Sequence, residues 1–202
     1  MDLEKNKKSL LKDIKLVLDN LLGSKGYKIE KNSFNIKINI NYNDILKVSK
    51  VIKDNDNLKF SQLIDITAVD YPENENRFEM VYIFLSITNN CRLIVKFCVD
   101  ENTTIDSLTA IFPAANWYER EIWDLFGISF KNHPDLRRIL TDYGFNGFPL
   151  RKDFPLTGNV EVRYDFALKK VIYEPVKLTQ SFRSFDFESP WEGEKVETKK
   201  ND

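Results

Sequence analysis

The chain has little of what self-contained chemistry requires. Among its 202 residues there are two cysteines, one histidine and seven glycines, and the formal net charge is −1. Cys91 and Cys98 sit seven apart in one strand-like run. That odd spacing turns them to opposite faces, and at ~3.3 Å per residue it separates them by ~23 Å. They are expected neither to pair nor to share a metal, and one histidine supplies no zinc or cluster spacing. No Gly-rich loop of the dinucleotide or Walker type is present, so no phosphate cradle for NADH or flavin is expected. The near-zero charge gives no field for nucleic acid or an anionic membrane. No run approaches ~20 uninterrupted apolar residues, so no bilayer span is expected. Lys12, Asp13, Lys15 and Asp19 break up the apolar residues between Leu10 and Leu22, which argues against a secretory signal.

What is present reads as an α+β chain. Leu10, Leu11, Ile14, Val17, Leu18, Leu21 and Leu22 recur at helical spacing and stop at Gly23. Phe34, Ile36, Ile38 and Ile40 alternate as a half-buried strand. Asn43 or Asp44 is expected to cap a second helix through about Val51. Phe60–Val69 reads as a strand, and Met80–Ile87 is apolar on both faces, as a central strand is. Asn89-Asn90 turns it into an antiparallel partner, Cys91–Val99. A short helix is expected from Thr104 or Asp106, interrupted by Pro113, then a helix ending at Gly127. The expected fold is a mixed, mostly antiparallel sheet with helices on one face. Its domain is 1–132, followed by an irregular aromatic arm, 133–191, and a polar tail, 192–202, expected to be disordered. Five prolines punctuate the arm, with one plausible hairpin joining Val160–Tyr164 to Val171–Tyr173. Disordered segments are poor in aromatics, so an arm this aromatic is expected to pack across another surface.

The densest chemistry lies in 119–140. Glu119, Arg120, Glu121 and Asp124 share one helix with Trp117, Tyr118 and Trp123; a His133-Pro134 turn follows, then a second short helix with Arg137 and Arg138. Glu119 and Glu121 point ~200° apart and do not converge as an acid–base pair. Arg120 is four residues from Asp124 and is placed to pair with it or with a partner's acid. His133 has no nucleophile or acid at activating spacing, so a turn or interface hydrogen bond is expected. Across 133–191, nine Lys or Arg face eight Asp or Glu, too balanced for single-strand nucleic-acid binding despite the interleaved aromatics.

The order Glu-Arg-Glu, two residues, an acid, two apolar residues, six residues, His, three residues, Arg, one residue and two apolar residues resembles a known signature. It is that of the 30 kDa (C-type) subunit of the proton-pumping NADH:quinone oxidoreductase, respiratory complex I. Glu119, Arg120, Glu121, Asp124, Leu125, Phe126, His133, Arg137, Ile139 and Leu140 match without departure. Gly147–Leu156, with Arg151 and Asp153, resembles the same family, as do Arg163-Tyr164-Asp165, Glu174–Leu178, Phe182-Arg183 and Ser189–Trp191. The resemblance implies a structural subunit of the peripheral arm, without catalytic, cofactor or metal residues of its own. FMN, iron–sulfur clusters and quinone belong to partner subunits. It implies packing on the large quinone-site (D-type) subunit, with the B- and I-type subunits nearby. The place would be the cytoplasmic face of a bacterial inner membrane, or the matrix face in an organelle. The alternatives are the related subunit of a membrane-bound hydrogenase and a free-standing binding module.

Overall fold

Asp2–Leu22 forms α1, and the chain leaves it through Gly23 at φ 72°, a left-handed stop that glycine adopts without a Cβ penalty. The computed structural model describes residues 2–31 and 36–180. After α1 come β1 (Tyr27–Lys31), β2 (Ile36–Ile40), a 3₁₀ turn (Tyr42–Asp44), α2 (Ile45–Asp54), β3 (Gln62–Asp70), β4 (Phe78–Ser86) and β5 (Cys91–Val99). β6 (Thr104–Asp106), α3 (Ala115–Phe126), β7 (Ser129–Lys131), β8 (Val160–Asp165) and β9 (Lys170–Pro175) complete the order. The chain divides after Leu156 into two compact units.

In the first unit five strands lie in the order β1-β2-β5-β4-β3. β2 and β5 run parallel and the other pairs antiparallel, which makes the sheet mixed. The Asn89-Asn90 turn joins β4 to β5 in unbroken register from Phe78↔Val99 to Ser86↔Cys91. Phe78, Met80, Tyr82 and Phe84 alternate inward from β4, and Leu93, Val95 and Phe97 from β5. They form one core with Ile14 and Leu18 of α1, Ile45, Val48 and Ile52 of α2, and Ile122 and Phe126 of α3. Each fully buried large side chain contributes about 1.5–3 kcal/mol. Cys91 is buried and Cys98 exposed, as their odd spacing along one strand requires.

Three local expectations give way. Thr104–Asp106 is a strand paired parallel with β7 through Ile105↔Phe130; β-branched Thr104 and Ile105 suit it, and Ile105 reaches the core. Residues 135–141 form no helix, because the N–H groups of Ile139, Leu140 and Thr141 bond to Asp124 instead of to carbonyls one turn back. Asp44 stands at the N-cap of α2 as expected, but its side chain makes no cap bond; the side-chain cap lies earlier, where Asn41 accepts the Asn43 N–H at 3.0 Å ahead of the 3₁₀ turn. Phe60 precedes its strand: its N–H bonds to the Ile52 carbonyl and its ring is fully buried. β1, which the sequence pattern did not reveal, pairs with β2. Phe34 and residues 181–202, including the expected tail, lie outside the described residues.

The change of character expected at His133 lies within the first compact unit, which runs to Leu156. Residues 132–156 have no helix or strand yet fold over the C-terminal end of α3. The Leu150 N–H donates to the Leu125 carbonyl at 3.1 Å. Gly127, at φ 79°, lies so close beneath Phe148 and Arg151 that a Cβ would stand 2.6 Å from the ring and 2.8 Å from Nη2. Gly23 has the same hand of backbone, φ 72°, with open space around it. In the second unit, β8 and β9 pair antiparallel, Val162↔Tyr173 and Tyr164↔Val171.

Gly23→Ala therefore isolates the backbone cost, about 1–2 kcal/mol, while Gly127→Ala adds a clash worth about 1–3 kcal/mol more. Urea denaturation should show the larger loss for Gly127→Ala. Equal losses would mean that Phe148 does not press on Gly127 in solution.

Candidate functional site

α3 turns three of its four signature charges inward: Glu119 and Asp124 are fully buried and Arg120 is 7% exposed, whereas Glu121 faces solvent. Gly127 closes the helix, its N–H returning to the Trp123 carbonyl at 2.9 Å. Burying three ionisable groups on one short helix is costly unless each finds partners.

Asp124 finds most. Its Oδ2 accepts N–H bonds from Ile139 (3.0 Å), Leu140 (2.7 Å) and Thr141 (3.0 Å). Its Oδ1 accepts from the Thr141 hydroxyl at 2.5 Å and from Arg138 Nη1 at 2.8 Å. Burial alone would raise its pKa; the donors of Thr141, Leu140 and Arg138 outweigh burial and hold it well below the usual carboxylate range. Arg138 also donates to the Gly147 carbonyl at 3.1 Å and lies over the rings of Trp123, Phe145 and Phe148. The expected Arg120–Asp124 pair does not form. Arg120 instead donates to the carbonyls of Arg137 (3.2 Å) and Arg138 (3.4 Å) and stacks on Trp117.

Beyond Gly147 a second set of charges fastens the same segment. Arg151 donates from Nε to the Phe126 carbonyl at 2.6 Å and lies 4.5 Å from the Phe148 centroid, so Arg138 and Arg151 both stack on that ring. The Lys152 N–H donates to buried Asp70 at 2.7 Å. Asp70 is held bidentately by Arg77 (2.6 and 2.8 Å), whose Nη1 also reaches Glu101 at 2.6 Å and Asp153 at 3.0 Å. Arg77's hydrogen bonds lower the pKa of Asp70 and of Asp153, and those of its acids raise its own. Sequence reading marked Arg151 and Asp153 and missed Asp70, Arg77 and Glu101. The available signal was opposite charges at the two ends of a proline-containing turn, Asp70 and Arg77, where β3 meets β4.

His133 is a structural staple. Its Nδ1 accepts the Asp135 N–H at 3.1 Å and its Nε2 faces the Asn116 carbonyl at 3.1 Å, which places the proton on Nε2. Arg137 is 66% exposed and pairs with Asp135 at 2.9 Å. Arg163 belongs to the second unit, where it grips Glu174 across the hairpin at 2.9 and 3.2 Å.

Glu119 is the exception, a buried carboxyl with no cation. It accepts from the Ser107 hydroxyl at 2.6 Å and the Leu108 N–H at 2.7 Å. Burial, only partly offset by these bonds, raises its pKa from 4.5 to about 7. Tyr82, whose buried hydroxyl has no hydrogen-bond partner, is raised by its own burial and then by the Glu119 charge.

Fold and site together define an α+β protein in which buried charges fix the segment after α3. Among the described residues no group of three or more His, Cys, Asp or Glu is placed to hold a metal, and no helix is long and apolar enough to cross a membrane.

Residues 38–160 match the family described as "Respiratory-chain NADH dehydrogenase, 30 Kd subunit". The chain is 59% identical over 149 residues to the C-type subunit of the NADH-quinone oxidoreductase of Paramagnetospirillum magneticum, covering 74% of this chain and 75% of that protein. It is 50% identical over 184 residues to the NADH-ubiquinone oxidoreductase subunit 9 of Reclinomonas americana, covering 91% and 86%. The structure of the trypsin-resistant fragment (1-134) of Nqo5 superposes with a TM-score of 0.53 at 28% identity, covering 65% of this chain and 99% of the fragment. A chain of an archaeal membrane-bound sulfane sulfur reductase shares the fold, with a TM-score of 0.61 at 24% identity over 72% of this chain and 85% of that one. The chain belongs to the family of the 30 kDa, C-type subunit of complex I. It is a peripheral-arm subunit of the NADH:quinone oxidoreductase, and other subunits of that complex are its partners.

Glu119 sets a pH dependence with a defined sign. Its native pKa lies above its ordinary value, so between pH 4.5 and about 7 the folded state holds more protons than the unfolded one. Stability therefore falls as pH rises through that window, by about 3 kcal/mol for this group. Glu119→Gln keeps an acceptor for Leu108 and removes the titration. Melting from pH 5 to 8 should show a steeper loss for the wild type than for Glu119→Gln; parallel curves would contradict the assignment.

Proposed function

We propose that this protein holds the quinone module together by docking its second unit on its neighbours, chiefly the large quinone-site (D-type) subunit, with the B- and I-type subunits nearby. The observation that carries the proposal is the β8–β9 hairpin. Its pairing puts Val160, Val162, Tyr164, Val171 and Tyr173 on one face, all about half exposed or more. Glu161, Arg163, Asp165, Lys170 and Glu174 lie on the other. A two-stranded hairpin is marginal by itself in water, and an apolar face as exposed as that of Val160, Val162, Tyr164 and Val171 marks an interaction surface. The partner-facing arm then begins after Leu156, while 133–156 belongs to the folded body.

The role is positional. FMN, iron–sulfur clusters and quinone are held by partner subunits, and this chain fixes where those subunits stand, without a cofactor or catalytic group of its own. It attaches peripherally, on the cytoplasmic side of a bacterial inner membrane or the matrix side in an organelle, and contributes no membrane-inserted segment.

Limited trypsin digestion tests the docking. The free chain should be trimmed beyond Leu156 to a resistant body, and the same sites should be spared in detergent-solubilised complex; equal protection in both states would contradict it. A mutational test separates placement from reaction. Arg138→Ala strands the buried Asp124 charge, a loss of about 3–5 kcal/mol, and should lower the amount of assembled complex on a native gel. Arg137→Ala should also lower assembly, by less, since Arg137 is exposed. Activity per assembled complex should stay near normal for both. Normal assembly with a large loss of specific activity would put this segment in the reaction path.

A further inference from the structure

Among the described residues of the first unit Arg120 is the most deeply buried cation, and none of them supplies it a carboxylate. Arg77 and Arg138 each hold one, at 2.6 and 2.8 Å. Arg120 is 7% exposed and makes two hydrogen bonds, both to carbonyls, at 3.2 and 3.4 Å. A guanidinium has five N–H donors, and a charge removed from water to this degree ordinarily pairs with an anion.

Its surroundings are those of a binding surface. Trp117 stacks on the guanidinium at 5.0 Å and is itself 64% exposed. Arg137, whose carbonyl Arg120 holds, points its own guanidinium to solvent, and Leu140, three residues on, is 62% exposed. An accessible tryptophan beside a shielded arginine is the composition that dominates binding energy at protein interfaces.

We propose that Arg120 is the docking point for an aspartate or glutamate side chain carried by another member of the complex, received between Trp117 and the Arg137-Arg138 backbone. This rests on the scaffold reading above. Arg137 already pairs with Asp135, so Arg120 is the cation that calls for an acid, and Trp117 and Leu140, both exposed, call for apolar residues beside it. The partner's carboxylate completes Arg120 as Asp124 completes Arg138.

The test compares the isolated full chain with the assembled complex. Arg120→Met keeps the length of the side chain and removes its charge. Burying a charge without a carboxylate is itself costly, which offsets the loss of two long hydrogen bonds to carbonyls, so the isolated chain should melt near the wild-type temperature. Losing a buried pair at an interface acts on dissociation, so the chain retained in purified complex should fall at least about tenfold. A parallel loss of melting temperature and retention would assign Arg120 a role internal to the chain; unchanged retention would overturn the docking. A photo-cross-linking residue at position 121, exposed on the same helix one turn beyond Trp117, gives the second readout. Cross-links to an acidic peptide of another protein of the complex support the proposal, and cross-links confined to this chain overturn it. Failure of the wild-type chain itself to stay with the complex would instead count against the scaffold reading.

Discussion

The turn of chain at residues 138–141 is held by one buried carboxylate. Asp124 stands at the last turn of a helix, fully shielded, and collects three backbone N–H groups, a hydroxyl and a guanidinium from residues 138–141. A buried ion left without donors costs several kcal/mol, whereas one that is fully hydrogen-bonded specifies a single arrangement of its partners. The carboxylate thus replaces the hydrogen-bond ladder that a helix or strand would have given residues 139–141. Of the signature charges, Asp124 is the one whose bonds go chiefly to the chain's own backbone.

That arrangement propagates by stacking and pairing. Arg138, fixed by Asp124, lies over Phe148; Arg151 also stacks on that ring and extends to the Phe126 carbonyl and to Glu101. Glu101 and Asp153 share Arg77 with Asp70, and Asp70 accepts the Lys152 N–H. Each arginine here spans a main-chain or ring contact and a carboxylate, which its planar fork allows and a lysine does not. An irregular segment thereby becomes part of the first compact unit.

How much of this was legible follows from the range of the interactions. α1, β2 and the β4–β5 hairpin were readable because their signals are local: helical spacing ended by Gly23, alternation through Ile36–Ile40, and Asn89-Asn90 between two apolar runs. The helix expected at Arg137 was not, because its amides answer to an acceptor some fifteen residues upstream. The Arg120–Asp124 pair had the right helical spacing and failed because the amides and Arg138 occupy Asp124. β6 was hidden because three residues carry no period and its partner, β7, lies beyond α3. The Asp70–Arg77–Asp153 link joins a turn to a residue 76 positions away, a distance over which sequence pattern is silent. The order of residues in 119–140 nonetheless named the family directly.

Amide hydrogen exchange on the purified full-length chain tests the central claim most directly. If Asp124 holds the segment after α3 as part of the folded body, the N–H groups of Leu140 and Thr141 exchange only with global unfolding, at rates near those of β4 and β5, while β8 and β9 exchange far faster. Exchange at Leu140 and Thr141 as fast as in the hairpin would show that the carboxylate does not organise the segment in the free chain, and the account would fail.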